Sequence, residues 1–427
     1  MLKQYRKRFN LQFNESSYAK LLKELETVCG TRVEFRVAET PVFIPLPLLE
    51  EMAGAGEALL LSLLADRAYL QAAAMAIPSG FRVANQTRHP HFLTADFALI
   101  RTEHGELEPR LVEIQAFPSV FGFQSVLCKA YRSTFGLGED LNCYFPELNE
   151  DSYWELLKKT IAGDHEAENV VLLEVDPKGQ KTLPDFLITA RKLGIAVVDI
   201  ATLESGGSRL FYRNEKGRRV LIERIYNRAI ADELIRRSVQ LPFDLEYPWE
   251  VEWAGHPNWY FLVSKYSLPW LTKKRDGARV VPPAVFLDEF LEGDGAKQFE
   301  ARGVELPPNG GWDSKYPNLL LKPLFSFAGK GIEFEPTRSR LESIPRAERS
   351  GYLLQERMNF EPTIETPYGL TQMEVRILYV WPDSGKLTAV LPLVRLGRGR
   401  MMGVDHNRNL QWVGASAAFF PGVRGAL

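Results

Sequence analysis

Cysteine is scarce: Cys29, Cys128 and Cys143 are the three present, odd in number and with no C-x-x-C among them. That argues against a disulfide framework or a zinc cluster and fits a reducing compartment. Long hydrophobic runs are lacking too. The longest, residues 58–65, is broken by Ser62 and bounded by Glu57 and Asp66, too short to span a bilayer. Residues 1–10 are basic, but no apolar stretch follows them, so they do not read as a signal peptide. A cytoplasmic protein with no membrane segment is expected. Neither sign of charge is in excess: 52 Lys plus Arg stand against 54 Asp plus Glu, a net charge of -2, which argues against nucleic-acid binding. G-x-S-x-G, H-E-x-x-H, Walker A and Rossmann signatures are all missing. His89 and His91 form an H-x-H pair with no third metal ligand in view.

What is present is ordinary globular composition, with 45% hydrophobic and 25% charged residues in a chain of 427. That length holds two or three domains, or one large interlocked one. Residues 16–29 read as a helix stopped by Gly30, and the prolines at 41, 45 and 47 lead into one long helix over about 48–76. Residues 91–101 and 107–117 read as a β-hairpin turning at His104 and Gly105. A strand at 169–176, a helix at 181–193 closed by Gly194 and a strand at 195–199 form a small parallel α/β unit. Residues 218–228 add another strand, and the last third reads as antiparallel β with glycine-rich connections. The expected class is mixed α/β (α+β), divided near 165–168 and 246–249 into segments 1–165, 166–250 and 251–427.

Several stretches carry candidate chemistry. At 319–332 an apolar strand ends in Lys322-Pro323, followed by a small-residue loop holding Ala328, Gly329, Lys330 and Gly331. Glycine lets backbone amides approach an anion, and a lysine supplies a point charge to phosphate. A hairpin with a solvated lysine is the plain alternative. In residues 352–358 an apolar strand runs into Gln355 and Glu356, suited to an adenine edge and a ribose or to an ordinary strand end. Period two puts Glu374 and Arg376 on one face, as a surface ion pair or part of a charged site. It likewise puts Glu113 and Gln115 on one face, oxygen donors that suit Mg²⁺, or a solvent-facing edge. From 391 to 427 five arginines, at 395, 398, 400, 408 and 424, meet one acid, Asp405. Arg398 and Arg400, with apolar flanks, read as an anion site.

The order of these pieces resembles the ATP-grasp ligases, in particular the circularly permuted group containing eukaryotic glutathione synthetase. Over residues 40–415, the 111–123 stretch resembles that group's E-I-N acid motif, 176–199 with 219–228 its substrate-binding α/β unit, and 269–274 its first phosphate lysine, through Lys273 or Lys274. Residues 319–332 resemble its second lysine and glycine-rich loop, and 352–358 its adenine hinge. The resemblance implies an antiparallel nucleotide-binding region with a small parallel substrate-binding domain. It implies ATP, Mg²⁺ on Glu113 and Gln115, and Arg398 and Arg400 near substrate and nucleotide. Glu374 is grouped with the nucleotide-site residues. The activity implied is joining a small carboxylate to an amine through an acyl phosphate, in a homodimer. The same site could serve a phosphotransferase, and a chain that had lost the metal would be a binding module. The chain departs from the family's pattern at Gln115 for an asparagine, Ser326 for a metal-binding glutamate and Thr94 for a substrate arginine.

Overall fold

The computed structural model describes residues 1–274, 279–307, 314–326, 329–402, 407 and 409–422. Its main sheet has eight strands and draws on both ends of the chain. Along the sheet lie Val42–Phe43, Gly414–Pro421, Thr388–Gly397, Gly369–Val380, Phe92–Arg101 and Leu107–Gln115, with Leu141–Asn142 and Ile364–Thr366 pairing at the sides. Only the Val42–Phe43 pairing is parallel among these.

Alternation gives this sheet two apolar faces. Ala95, Phe97, Val375, Ile377, Tyr379 and Val394 face one core, shared with the helices Leu46–Leu64 and Arg67–Met75. Phe92, Leu378, Val380, Leu391 and Phe419 face the other, against Phe121–Phe135 and Glu15–Cys29. On this second face the apolar rows give way to Asp96, Glu374, Arg376 and Arg395.

A parallel sheet runs Glu252–Ala254, Arg224–Asn227, Val170–Glu174, Ala196–Asp199, with the helix Leu183–Leu193 crossing over between the last two. An antiparallel sheet of Ala284–Phe286, Tyr352–Glu356, Leu319–Pro323 and Glu333–Phe334 carries Lys322 and Gln355. No helix among the described residues is long and apolar enough to cross a membrane. The three cysteines are free and buried.

Three expectations are corrected. The helix over 48–76 is two, because Asp66 caps a new start by accepting the Tyr69 amide at 3.0 Å. The strand over 218–228 is also two: Arg219–Ile222 joins a small antiparallel sheet, and past Glu223 Arg224–Asn227 enters the parallel one. The last third is not β alone, since short helices such as Ser267–Thr272 and Leu287–Glu292 pack beneath its strands.

Candidate functional site

One row across the main sheet reads Glu113, Asp96, Arg376, Leu393. A bulge makes this row: Asp96 pairs Glu113 while Phe97 pairs Leu111, so Val112 is the extra residue. That lets Leu111 and Ile114 both reach the core while Glu113 turns to the charged side. The Arg376 fork grips Asp96, Nε to Oδ1 and Nη2 to Oδ2, each at 2.6 Å. In the next row Arg395 donates to Glu374 and, at 2.5 Å, to Asp96 Oδ2. Burial works against a charged Asp96, but Arg376 and Arg395 overcome it and hold the carboxyl below its ordinary value. Burial pushes the Glu374 carboxyl up to about 7, with Arg395 pulling down and Asp96 pushing up. Burial likewise opposes the charge on Arg395, and Glu374 and Asp96 more than restore it. The expectation of a surface pair between Glu374 and Arg376 is therefore corrected, since both are buried and each pairs with a neighbouring strand.

Two lysines face these acids. Lys322 is buried and donates to Gln355 Oε1 at 2.5 Å. Burial lowers its pKa to about 8, with Glu113 and Glu374 pulling up and Lys265 pushing down. Lys265 lies in the turn between Asn258–Leu262 and Ser267–Thr272 and donates to the Ser326 carbonyl at 2.6 Å. Its Nζ is 3.6 Å from Glu113 Oε2, and Arg376 Nη2 is 4.0 Å from Glu113 Oε1. Gln355 Nε2 and Arg395 Nε are buried with no protein partner among the described residues. The arrangement is a half-buried carboxylate, Glu113, ringed by two lysines and two arginines that can take additional negative charge.

The other candidates lie around this cluster or away from it. Lys273 pairs with Glu289 at 3.2 Å, and Lys274 with Asp66 at 3.0 Å and the Ser62 carbonyl at 2.9 Å. Both follow the helix Ser267–Thr272 and spend their charge on neighbouring helices, whereas Lys265 before that helix reaches Glu113. Glu356 alternates away from Gln355 toward Arg110 and Arg302, and burial pushes its carboxyl up. Arg398 donates to Thr371 Oγ1 at 3.0 Å and Thr366 Oγ1 at 2.9 Å. Arg400 is largely exposed, 3.4 Å from Glu335 Oε1 and over the Phe334 ring. Gly329, Lys330 and Gly331 lie in the turn before Glu333–Phe334, where a Cβ on Gly331, at φ +73°, would meet Pro323 Cγ at 2.9 Å. Ala328 lies outside the described residues. Gln115 sits in register with Thr94, one row from Glu113. Lys265 and Asp96 are site residues that no sequence motif marks. Their one signal is a lone charge inside an apolar run, "FLVSKYSLPW" and "HFLTADFALI".

No group of three His, Cys, Asp or Glu side chains converges among the described residues. Glu374 and Asp96 are engaged by arginines, and Glu113 makes looser charged contacts. This fits a Mg²⁺ that arrives on phosphates and takes one protein carboxylate, not an all-protein cage.

No family model matches the chain, and no curated protein sequence matches it. A solved structure does: a glutathione synthetase-like effector from Globodera pallida in its apo form, 14% identical, TM-score 0.56, over 96% of this chain and 96% of that one. The chain thus has a glutathione synthetase-like, ATP-grasp-like α/β fold.

Proposed function

We propose that this chain is an ATP-dependent carboxylate–amine ligase. The observation that carries the reading is Lys322, buried and fixed by Gln355, facing Glu113 together with Lys265. A buried ammonium beside a second one is costly unless an anion shares the space, and nucleotide phosphates are the anions this fold family binds. The substrate carboxylate attacks the γ-phosphorus of ATP, ADP leaves, and an acyl phosphate forms. The amine attacks the acyl carbon, phosphate leaves, and the amine's proton is lost. Lys322 and Lys265 offset charge on the phosphates, and Arg376 and Arg395 hold Asp96 ionised nearby. Mg²⁺ carried by the nucleotide would sit on Glu113, with Gln115 within reach, and neutralise the transferring group. The turn at 329–331 covers the nucleotide and excludes water from the acyl phosphate. Arg398 and Arg400 are assigned to outer anionic groups. In the division of labour we propose, 166–250 serves the substrate and 251–427 the nucleotide, with the hairpin of 1–165 supplying Glu113.

A second reading has its own support: Arg395 between Glu374 and Asp96, with Ser326 in the glycine-rich loop, favours a nucleotide-binding module without turnover. Titration with a non-hydrolysable ATP analogue, with and without Mg²⁺, separates the cases. Mg²⁺-dependent binding followed by ADP release with acid and amine present supports the ligase. Binding indifferent to Mg²⁺, with no ADP release, supports the module. No binding overturns both.

A further inference from the structure

The parallel sheet has a switch point. From Val170–Glu174 the chain moves to Ala196–Asp199 on one side, and later returns as Arg224–Asn227 on the other. Ligands of open parallel sheets bind at the carboxyl ends of strands at such points. Here that place is a small cavity, about 30 Å³ in the space open to water-sized groups, lined by Val83, Asn227, Ala231, Leu234, Trp253 and Tyr260 among others. That is room for about two waters, or the end of a short aliphatic chain.

Asn227 is the odd residue in it. Strand alternation puts its side chain on the side of Ile225, which packs in one core with Trp253 and Leu234, whereas Tyr226 faces the opposite core. Asn227 is 3% exposed, and its side-chain amide has no hydrogen-bond partner among the described residues. Nearby Asn258, equally buried, is fully engaged by Val83 and Gln86. An amide that opens onto an apolar cavity without a protein partner is free to take a ligand.

The surrounding charge is acidic. Asp232 and Glu233 sit on the short helix whose Ala231 and Leu234 line the cavity, and Asp232 acts on Tyr260 in the cavity wall; Glu174, at the end of the adjacent strand, is pushed up to about 8 by burial and adds little charge. Two of the nearby cations are committed, Arg228 to Asp185 at 3.5 Å and the Pro118 carbonyl, and Arg237 to Asp176 at 3.0 Å and Glu233 at 3.1 Å, while Arg236 is exposed at the end of the short helix. Such a field suits an amine and disfavours a second carboxylate. Tyr260 forms the wall toward the lysine cluster. Its hydroxyl donates to the Phe325 carbonyl at 3.3 Å, and the next carbonyl, of Ser326, accepts from Lys265.

We infer that this cavity holds the short aliphatic side chain of the amine substrate against its apolar lining, with the Asn227 side-chain oxygen accepting from the amine nitrogen. The inference rests on the ligase reading and gives it a substrate class. Its test needs no nucleotide: the full-length protein is titrated with isobutylamine and with ethanolamine by ligand-observed NMR. Isobutylamine should bind at least about tenfold more tightly. Ala231→Phe should remove that preference by filling the cavity. Asn227→Leu should weaken isobutylamine binding about tenfold while leaving the thermal midpoint unchanged or higher, because an unpaired buried amide has been replaced by an apolar group. Equal affinity for the two amines, or isobutylamine binding unmoved in both variants, overturns the assignment. Failure here with intact nucleotide binding removes the substrate class alone, whereas failure of nucleotide binding removes the ligase and leaves the amine result standing.

Discussion

A lysine buried as deeply as Lys322 stays protonated at neutral pH only because Glu113 and Glu374 support it, and its pKa of about 8 records how much of that support burial cancels. Its folded value lies below the ordinary 10.5, so between about pH 8 and 10.5 the unfolded chain holds the proton and the folded chain does not. Stability therefore rises with pH across that window, and below about pH 8 the cost of the buried charge is present in full. Lys322→Met removes that cost, on the order of 2–3 kcal/mol, but orphans the Gln355 oxygen at about 1–2 kcal/mol. The variant should be about 1 kcal/mol more stable than the parent at pH 7 and lose that advantage by pH 10, read from urea unfolding at each pH. It should also lose nucleotide binding. A variant less stable at pH 7, or one that still binds nucleotide, would remove Lys322 from the site. The neighbouring acids differ for the same reason: Asp96 has two guanidinium groups and stays charged, whereas Glu374 shares one of them and its carboxyl rises to about 7.

At the scale of elements, the join between Leu46–Leu64 and Arg67–Met75 rests on one side chain. Asp66 accepts the Tyr69 amide at 3.0 Å and pairs with Lys274 at 3.0 Å. Asp66→Ala should lower the unfolding free energy by about 1 kcal/mol, nearly all of it from the cap, since the ion pair is partly exposed. Thermal unfolding of Asp66→Asn checks the division: asparagine keeps the cap and should recover most of the loss. This cap also shows where the sequence is hard to read. An apolar, alanine-rich stretch conceals a break made by a single aspartate, with neither glycine nor proline to mark it. The strands at 170–174, 319–323, 352–356 and 369–380 were legible because apolar runs and period two are local signals. The split at Glu223 was not, because two strands in tandem look like one until their partners are known. Lys322, Gln355 and Glu113 were legible as motif residues. Lys265 was not, since a turn lysine acquires meaning only when the hairpin bulge brings Glu113 to it. Asp96 likewise needs Arg376, 280 positions away, to explain its burial.

At the scale of the molecule, the main sheet and the parallel sheet are joined by a charged relay. His91 Nδ1 accepts from the Gly255 amide at 3.4 Å, which leaves Nε2 to donate to Asp383 Oδ1 at 2.7 Å. Asp383 Oδ2 accepts from Arg224 at 2.7 Å, and Arg224 reaches Glu252 at 2.6 Å and the carbonyls of Thr160 and Ile161 at 3.0 Å. One half-exposed aspartate in the loop after Gly369–Val380 thus ties that hairpin to a strand of the parallel sheet. The His91 hydrogen bond and the charge of Arg224 outweigh the burial of Asp383 and hold its carboxyl well below the ordinary value. A depressed acid stabilises the fold above the unfolded value, near 4, and that contribution is lost as pH falls toward the folded value. Asp383→Asn keeps the shape and removes the charge. Arg224 retains its other partners and Asp383 is half in solvent, so the loss should be modest, about 1 kcal/mol at pH 7. The gap between parent and variant should hold from pH 7 to about 5 and narrow below about 4, in urea unfolding measured across that range. A gap independent of pH would mean that the relay acts through shape and hydrogen bonding alone, and that the two sheets are not coupled by charge.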